Sequence, residues 1–208
     1  KRGCTLEASL ELRAKPGLKG HCLLVEEGEQ CVYDGDRNLD LKAGTISLWV
    51  KPANWSDDHG RYVAFLNVYG RIKGSNTPFN LSIDKGDAAA TARAHCSFGS
   101  GGRPDYRLYL VQGKAPWRPG TWHKLDVTWD SRHLAIYVDG KLGNRQDLPN
   151  VDLQELLSPK IELVHHHLRQ PLRVLRGAPE LDARRPEARL RRRVGISDAH
   201  RIGAAELL

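Results

Sequence analysis

The chain has 208 residues, of which 40% are hydrophobic and 27% charged, an ordinary composition for a globular protein. A chain of this length buries a substantial core without metals or disulfides, and no apolar run approaches the roughly 18 residues of a membrane span. The formal net charge is +7, but residues 160–193 alone hold ten Lys and Arg against four Asp and Glu. The basic charge therefore marks one segment, which argues against a polyanion surface covering the whole domain.

Short apolar or alternating runs, bounded by Gly, Pro, Asn and Asp, recur along the chain and predict strands. The run Thr45–Lys51 alternates strictly: Ile46, Leu48 and Val50 share the face that we expect in the core, and Trp49 falls on the other face. The predicted strands are Cys22–Val25, Cys31–Tyr33, Thr45–Lys51, Tyr62–Tyr69, Phe79–Ile83, Ala92–Phe98, Tyr106–Val111, Trp122–Asp130, Leu134–Asp139 and Lys160–Val164. These runs and their turns predict an all-β fold, an antiparallel two-sheet β-sandwich of the jelly-roll kind.

The remaining segments complete a single predicted domain over residues 1–208. A short helix is expected around Asp152–Leu157. Residues 168–193 are rich in Arg and Pro with little periodicity, which is typical of an exposed insertion or loop. Ile196–Leu208 returns to an apolar pattern and is expected to close the domain.

The four cysteines are Cys4, Cys22, Cys31 and Cys96. Four cysteines allow three pairings, and the sequence leaves the choice among them open. Cys22 and Cys31 flank a polar tip and would lie across from each other if Leu23–Val25 and Gln30–Val32 formed a hairpin. The alternative is that both thiols are small buried hydrophobes.

Several motifs resemble those of laminin-G-like domains of the concanavalin A-like lectin and glucanase kind. Pro119–Asp130 followed by Leu134–Lys141 resembles the family's "GxWHHVAxTYDG…LYVDGxL" hairpin. Gly17–Leu24 and Leu39–Pro52 are similar to its opening strands, and Ile196–Leu207 is similar to its last strand. The pieces follow the family order across most of the chain, and the resemblance implies a concanavalin A-like jelly roll.

Relatives of this sandwich include polysaccharide-cleaving enzymes, whose catalytic carboxylates follow a recognisable spacing. Retaining glucanases need two carboxylates about 5 Å apart, which the related enzymes carry on one strand as Glu-x-Asp-x-Glu or Glu-x-Asp-x-x-Glu. The sequence contains neither motif and no G-x-S-x-G elbow. We therefore expect no catalytic residues, although a lyase arrangement of Tyr with His, or of Lys with an acid, stays open.

The segment 34–40 is a possible calcium site. Asp34, Asp36, Asn38 and Asp40 stand at alternate positions, and calcium takes six to eight oxygen ligands. The resemblance implies a structural Ca²⁺ where early and late strands meet, with Asp198 as a further ligand. The alternative is a turn rich in Asp and Asn with no metal.

The run His165–His167 suggests a transition metal at first sight. Consecutive strand residues point to opposite faces, so three neighbours do not converge on one ion. We expect an incidental polar strand end.

Exposed aromatic side chains would provide stacking platforms for a sugar. Trp49, Trp122 and Trp129 match core positions of predicted strands and are expected in the core. The residues near loops or strand ends are the candidate ligand-binding residues: Trp55, Tyr106 and Trp117. The alternative is that these rings are partly buried lids.

The Arg-rich segment is a possible contact for a polyanion such as a heparin-like polysaccharide. The arginines concerned are Arg184, Arg185, Arg191, Arg192 and Arg193. Basic runs are usually solvated, and residues 168–193 contain no aromatic residue for base stacking. No specific nucleic-acid partner is therefore expected.

Together these features predict a non-catalytic carbohydrate-binding or interaction module. The resemblance implies a glycan or glycoconjugate ligand and a place in a larger secreted or surface protein, extracellular or periplasmic. One alternative is a polysaccharide-active enzyme, a glycosidase or lyase, recognised by convergent acids or a Tyr–His pair in a groove. The other is a structural or adhesion domain that contacts protein through an exposed apolar patch.

Overall fold

The computed structural model describes residues 6–8, 13–26, 30–35, 39–57, 62–86, 90–99, 105–148, 156–164 and 204–207. The chain divides into two compact units: residues 1–168 together with 202–208, and residues 169–201. The second unit lies wholly outside the described residues. The Arg-rich segment, His165–His167 and Asp198 therefore stay predictions.

The described residues form fourteen strands. In chain order they are β1 (Leu6–Ala8), β2 (Arg13–Pro16), β3 (His21–Glu26), β4 (Gln30–Asp34), β5 (Gly44–Pro52), β6 (Val63–Ile72), β7 (Pro78–Lys85), β8 (Thr91–Phe98), β9 (Arg107–Lys114), β10 (His123–Trp129), β11 (His133–Val138), β12 (Lys141–Asp147), β13 (Leu156–Val164) and β14 (Ala204–Leu207).

The strands form two seven-stranded antiparallel sheets. Sheet A has the order β1-β4-β13-β6-β7-β8-β9, and sheet B has the order β12-β11-β10-β5-β14-β3-β2. Buried side chains from both sheets make one continuous hydrophobic core between them. This arrangement confirms the predicted antiparallel β-sandwich.

All ten predicted strands are present, with ends shifted by a few residues. The expected helix at Asp152–Leu157 is not confirmed, because its last two residues, Leu156 and Leu157, begin β13. Residues 152–155 lie outside the described ranges. The closing segment contributes β14, which lies between β5 and β3 in the middle of sheet B.

The hairpin of β10 and β11 pairs Leu125 with Val138 and Trp129 with Leu134, as the motif predicts. The next turn, from β11 to β12, has positive φ at Asp139 (51°) and Gly140 (77°). Positive φ at both central residues matches the twist of the flanking strands, and Asp-Gly is a preferred sequence for it. The Asp139 side chain also accepts a hydrogen bond from Lys124 N at 2.8 Å.

The described strands do not contain the hairpin that would bring Cys22 and Cys31 across from each other. Cys22 lies in β3 of sheet B and Cys31 in β4 of sheet A, so the two are not cross-strand neighbours. Both side chains are buried, as the alternative expected. Cys96 is a free buried thiol of β8, and burial raises its pKa to about 12.

Candidate functional site

Two of the three predicted ligand-binding aromatics lie in the core. Trp55 is 2% exposed and Trp117 is 0% exposed. Their ring centroids lie 5.4 Å apart, and Phe65 and His123 pack at 5.4 and 5.1 Å from Trp117. A sugar ring has no access to faces buried in this way, so the expected role of Trp55 and Trp117 is corrected to core packing.

The third aromatic, Tyr106, is partly exposed and immediately precedes β9. Its backbone carbonyl accepts a hydrogen bond from Arg107 Nη1 at 3.0 Å. Tyr106 therefore remains open to solvent, but the structure does not bring it together with Trp55 and Trp117 as one platform.

Two residues of the predicted calcium segment are described. Asp34 ends β4, where its backbone pairs with Lys160. Asp40 Oδ1 accepts the Lys42 N–H at 2.8 Å, which is the geometry of an Asx turn. Asp36 and Asn38 lie outside the described residues, and no cluster of three or more His, Cys, Asp or Glu suited to a metal occurs in the part of the chain that is described.

The outer face of sheet A carries the main polar surface of the described residues. On β7, Phe79, Leu81 and Ile83 enter the core, so the alternate residues point outward. The strand register brings the outward residues of β13, β6, β7 and β8 side by side. We call this surface the polar face: Asn67, Tyr69, Asn80, Ser82, Asp84, Arg93, His95, Ser97 and Glu162.

Asp84 is the most enclosed charged group of the polar face, with 0% exposure. Its Oδ1 accepts a hydrogen bond from Arg93 Nε at 2.8 Å. Its Oδ2 lies 3.3 Å from His95 Nδ1, but no hydrogen bond of good geometry reaches that oxygen from the described residues. A buried carboxylate oxygen without a full hydrogen bond is costly, and at 0% exposure it lies beyond the reach of a ligand.

Tyr62 lies beside the same carboxylate. Burial raises the pKa of Tyr62 to about 12, and the negative charge of Asp84 adds to the shift. The hydroxyl lies 3.3 Å from Ser82 Oγ, and the Arg93 guanidinium lies 5.6 Å from the ring centroid. At neutral pH Tyr62 is therefore protonated and its hydroxyl is able to donate a hydrogen bond.

The middle of the polar face is more open. Tyr69 is 38% exposed, and its hydroxyl donates to Glu162 Oε1 at 2.9 Å. Asn80 lies opposite Tyr69 in the strand register, and its Oδ1 is buried without a hydrogen-bond partner among the described residues. The face thus offers hydrogen-bond acceptors beside a partly exposed aromatic ring.

The outer face of sheet B differs from the polar face. Trp49 and Trp122 are partly exposed there, which corrects the expectation that both are core; Trp129 is buried, 8% exposed. The Lys51 ammonium lies 5.0 Å from the Trp122 ring centroid. The alternation of Thr45–Lys51 in the sequence indicates that Trp49 is exposed, because it places Trp49 on the face opposite the core-facing residues.

The comparisons with known proteins agree with this architecture. The Laminin_G_3 family model, described as the concanavalin A-like lectin/glucanases superfamily, matches residues 27–158, more than half of the chain. The chain belongs to this superfamily. No curated protein sequence matches the chain significantly.

Solved structures share the fold at low sequence identity. The botulinum neurotoxin serotype C1 binding domain matches with TM-score 0.57 and 9% identity over 98% of this chain and 42% of that chain. The botulinum neurotoxin DC binding domain in complex with SialylT matches with TM-score 0.55 and 10% identity over 78% of this chain and 39% of that chain. A Bacteroides ovatus mixed-linkage glucan GH16 protein in complex with a G4G4G3G product matches with TM-score 0.55 and 13% identity over 76% of this chain and 78% of that chain.

The chain spans about two fifths of the botulinum chains that it matches. The superfamily and these neighbours thus include both binding domains and a glycoside hydrolase family member. Within the described ranges, no helix is long and apolar enough to cross a membrane.

Proposed function

We propose that the chain is a non-catalytic glycan-binding module of a larger secreted or surface protein, and that the polar face is its ligand surface. One observation carries the proposal: Tyr69 is 38% exposed on this face and its hydroxyl lies 2.9 Å from Glu162 Oε1, so an open aromatic ring stands beside a carboxylate acceptor. Sugar hydroxyls are donors to an acceptor of this kind.

The neighbouring side chains suit the same ligand. Tyr69 offers part of an aromatic ring, on which the apolar face of a pyranose would pack, and Glu162 offers an acceptor 2.9 Å from the Tyr69 hydroxyl. Arg93 and Tyr62 add donors near Asp84. Flat sheet faces with a few converging polar groups position a ligand without enclosing it.

The polar face gives little support to glycosidase chemistry. Asp84 and Glu162 lie on strands separated by β6, so strand spacing alone places their backbones roughly 10 Å apart. Retaining enzymes need about 5 Å between carboxyl groups, and inverting enzymes about 6.5–9.5 Å. Asp84 Oδ1 is also engaged by Arg93 Nε at 2.8 Å, and the Asp84 side chain is 0% exposed, so it is not open to a substrate.

The lyase alternative rests on Tyr62 and His95, which both lie near Asp84. With a pKa of about 12, Tyr62 is almost entirely protonated at neutral pH, so very little tyrosinate is present to act as a base. A binding role needs no such proton transfer and uses the same groups as donors and acceptors.

The structural Ca²⁺ at Asp34, Asp36, Asn38 and Asp198 is proposed as a separate feature. It is checked by calorimetric titration of the EDTA-treated protein with Ca²⁺. Heat of binding that disappears in the Asp36→Asn/Asn38→Ala double variant supports the site, and an absence of heat contradicts it.

A glycan array followed by isothermal titration tests the ligand surface. We expect binding to a glycan, with affinity reduced at least tenfold by Tyr69→Ala and by Asn80→Ala. Tyr137→Ala is the matched control, because Tyr137 is a partly exposed tyrosine of sheet B. Absence of binding with and without Ca²⁺, unchanged affinity in both variants, or release of shortened polysaccharide chains would contradict the proposal.

A further inference from the structure

Strands β9 and β12 close one edge of the sandwich. Gln146 Oε1 accepts the Leu110 N–H at 2.7 Å, and Asn144 Oδ1 accepts the Gln112 N–H at 2.6 Å. These side-chain amides from sheet B satisfy backbone donors on the last strand of sheet A. A partner strand cannot pair with those donors, so strand addition is not the use of this edge.

The same edge exposes three leucines. Leu108, Leu110 and Leu142 are 50%, 40% and 55% exposed. Among the described residues, half of the six large hydrophobic side chains that are exposed lie on these two strands. Isolated exposed leucines are ordinary on a protein surface, but a group of them on one edge indicates a contact surface.

The edge is also basic. Strands β9 and β12 carry four cationic residues, Arg107, Lys114, Lys141 and Arg145, against the single acid Asp147, a net charge of +3. All five residues are exposed. Leucines and cations therefore occur together on these two edge strands, whose backbone donors are already in part satisfied.

We propose that the β9–β12 edge binds the surface of an anionic lipid bilayer. The leucines would enter the boundary between headgroups and acyl chains, while the cations contact lipid phosphates and carboxylates. An anionic polysaccharide would use the charges but leave the leucines in water, and an apolar protein surface would not use the charges. A bilayer with acidic lipids uses both.

The membrane proposal and the glycan-binding proposal use different residues, although Leu108 and Leu110 lie next to Ser97 and His95 of the polar face in the strand register. A variant of the polar face that loses glycan binding can still be tested for vesicle binding, and a variant of the β9–β12 edge that loses vesicle binding can still be tested for glycan binding.

Sedimentation with lipid vesicles tests the inference, using phosphatidylcholine alone and a 3:1 mixture of phosphatidylcholine and phosphatidylserine. We expect the protein to sediment with the mixed vesicles and to dissociate at high salt. Lys141→Glu/Arg145→Glu should weaken binding at least fivefold, because one cation near such a surface contributes roughly a factor of five. Leu108→Ser/Leu110→Ser should also weaken it at least fivefold.

Matched variants elsewhere provide the controls. Leu157→Ser replaces a leucine that is 44% exposed on β13, and Lys19→Glu/Lys42→Glu reverses two exposed charges outside the edge. Both should bind the mixed vesicles like the unmodified protein. Circular dichroism and thermal unfolding establish that each variant is folded.

Three results would overturn the inference. One is failure of the unmodified protein to sediment with mixed vesicles. Another is unchanged binding by the leucine variant, which would indicate a contact made by charge alone, as with a polyanionic polysaccharide. The third is an equal loss in the control variants, which would mean that the β9–β12 edge is not the surface involved.

Discussion

Gly143 of β12 lies against Gly113 of β9, so closely that a Cβ atom on Gly143 would be 2.6 Å from the Gly113 Cα atom. The same Cβ atom would lie 2.6 Å from the Gln112 carbonyl oxygen. Only a residue without a side chain allows the two strands to approach in this way. The approach brings Asn144 within hydrogen-bond distance of Gln112 N.

We expect Gly143→Ala to lower the free energy of unfolding by about 2 kcal/mol or more, because the obstructing atoms are backbone and cannot rotate away. Arg145→Ala, at an exposed position of the same strand, should change it by about 0.5 kcal/mol or less. Urea unfolding followed by tryptophan fluorescence measures both. An equal effect of the two substitutions would contradict the close approach.

A second prediction concerns the aromatic core. Trp117→Ala should cost about 3–5 kcal/mol, because it removes a fully buried ring. Its indole N–H also donates to the Thr91 carbonyl at 2.7 Å, and that bond would be lost. The partly exposed Trp122 is the control, and Trp122→Ala should cost about 1 kcal/mol, near the value of its contact with Lys51. Denaturant titration of the two variants gives the comparison, and a small cost for Trp117→Ala would refute the placement of its ring.

Two substitutions of the turn residue Asp139 separate the contribution of its hydrogen bonds to stability from the cost of backbone strain. Its Oδ1 accepts the Lys124 N–H at 2.8 Å, and its Oδ2 lies 2.8 Å from His123 Nδ1. Asp139→Ala should destabilise by about 2–3 kcal/mol, through loss of both contacts and an alanine at positive φ. Asp139→Gly loses the same contacts without the strain and should be about 1 kcal/mol more stable than Asp139→Ala. Thermal unfolding measures the difference, and the reverse order of stability would disprove the positive φ.

The raised pKa of Tyr62 predicts an alkaline loss of stability. In the unfolded chain Tyr62 ionises near pH 10, whereas in the folded protein its pKa is about 12. Between these values the unfolded state binds fewer protons than the folded state, so the free energy of unfolding falls as pH rises. Tyr62→Phe should flatten that fall between pH 10 and 12, measured by urea unfolding at each pH. Tyr137→Phe is the control, and an equal flattening by both would remove Tyr62 as the cause.

The strands that were predicted are those in which alternation coincides with burial. On β8, Ala92, Ala94, Cys96 and Phe98 face the core, and this period of two is visible in the sequence. Strand β12 was not predicted, because its seven residues are nearly all exposed and carry no apolar alternation. Its pairing with β11 and its side-chain hydrogen bonds to β9 place it, and neither depends on hydrophobic residues.

The candidate site was less accessible from the sequence. Asp84 and Arg93 lie in a polar alternation that any outer strand face displays, and only the pairing of β7 with β8 brings them to 2.8 Å. Trp55 and Trp117 were expected at the surface because they lie near loops. The Asp57 carboxylate accepts the backbone N–H of Trp117 at 2.9 Å. This bond holds the segments of Trp55 and Trp117 together over the core, where both rings are buried.

The sequence by itself determined the antiparallel sandwich, since strand alternation and the Asp139-Gly140 turn are local patterns that act within a few residues. Its superfamily was indicated by the resemblance of motifs such as Pro119–Asp130 with Leu134–Lys141. Tertiary structure alone decided which polar residues gather on the polar face, which tryptophans are buried, and how β9 meets β12. Those relationships join residues far apart in the chain, such as Gly113 with Gly143 and Tyr69 with Glu162. Their energies depend on strand order and register, which no local pattern contains.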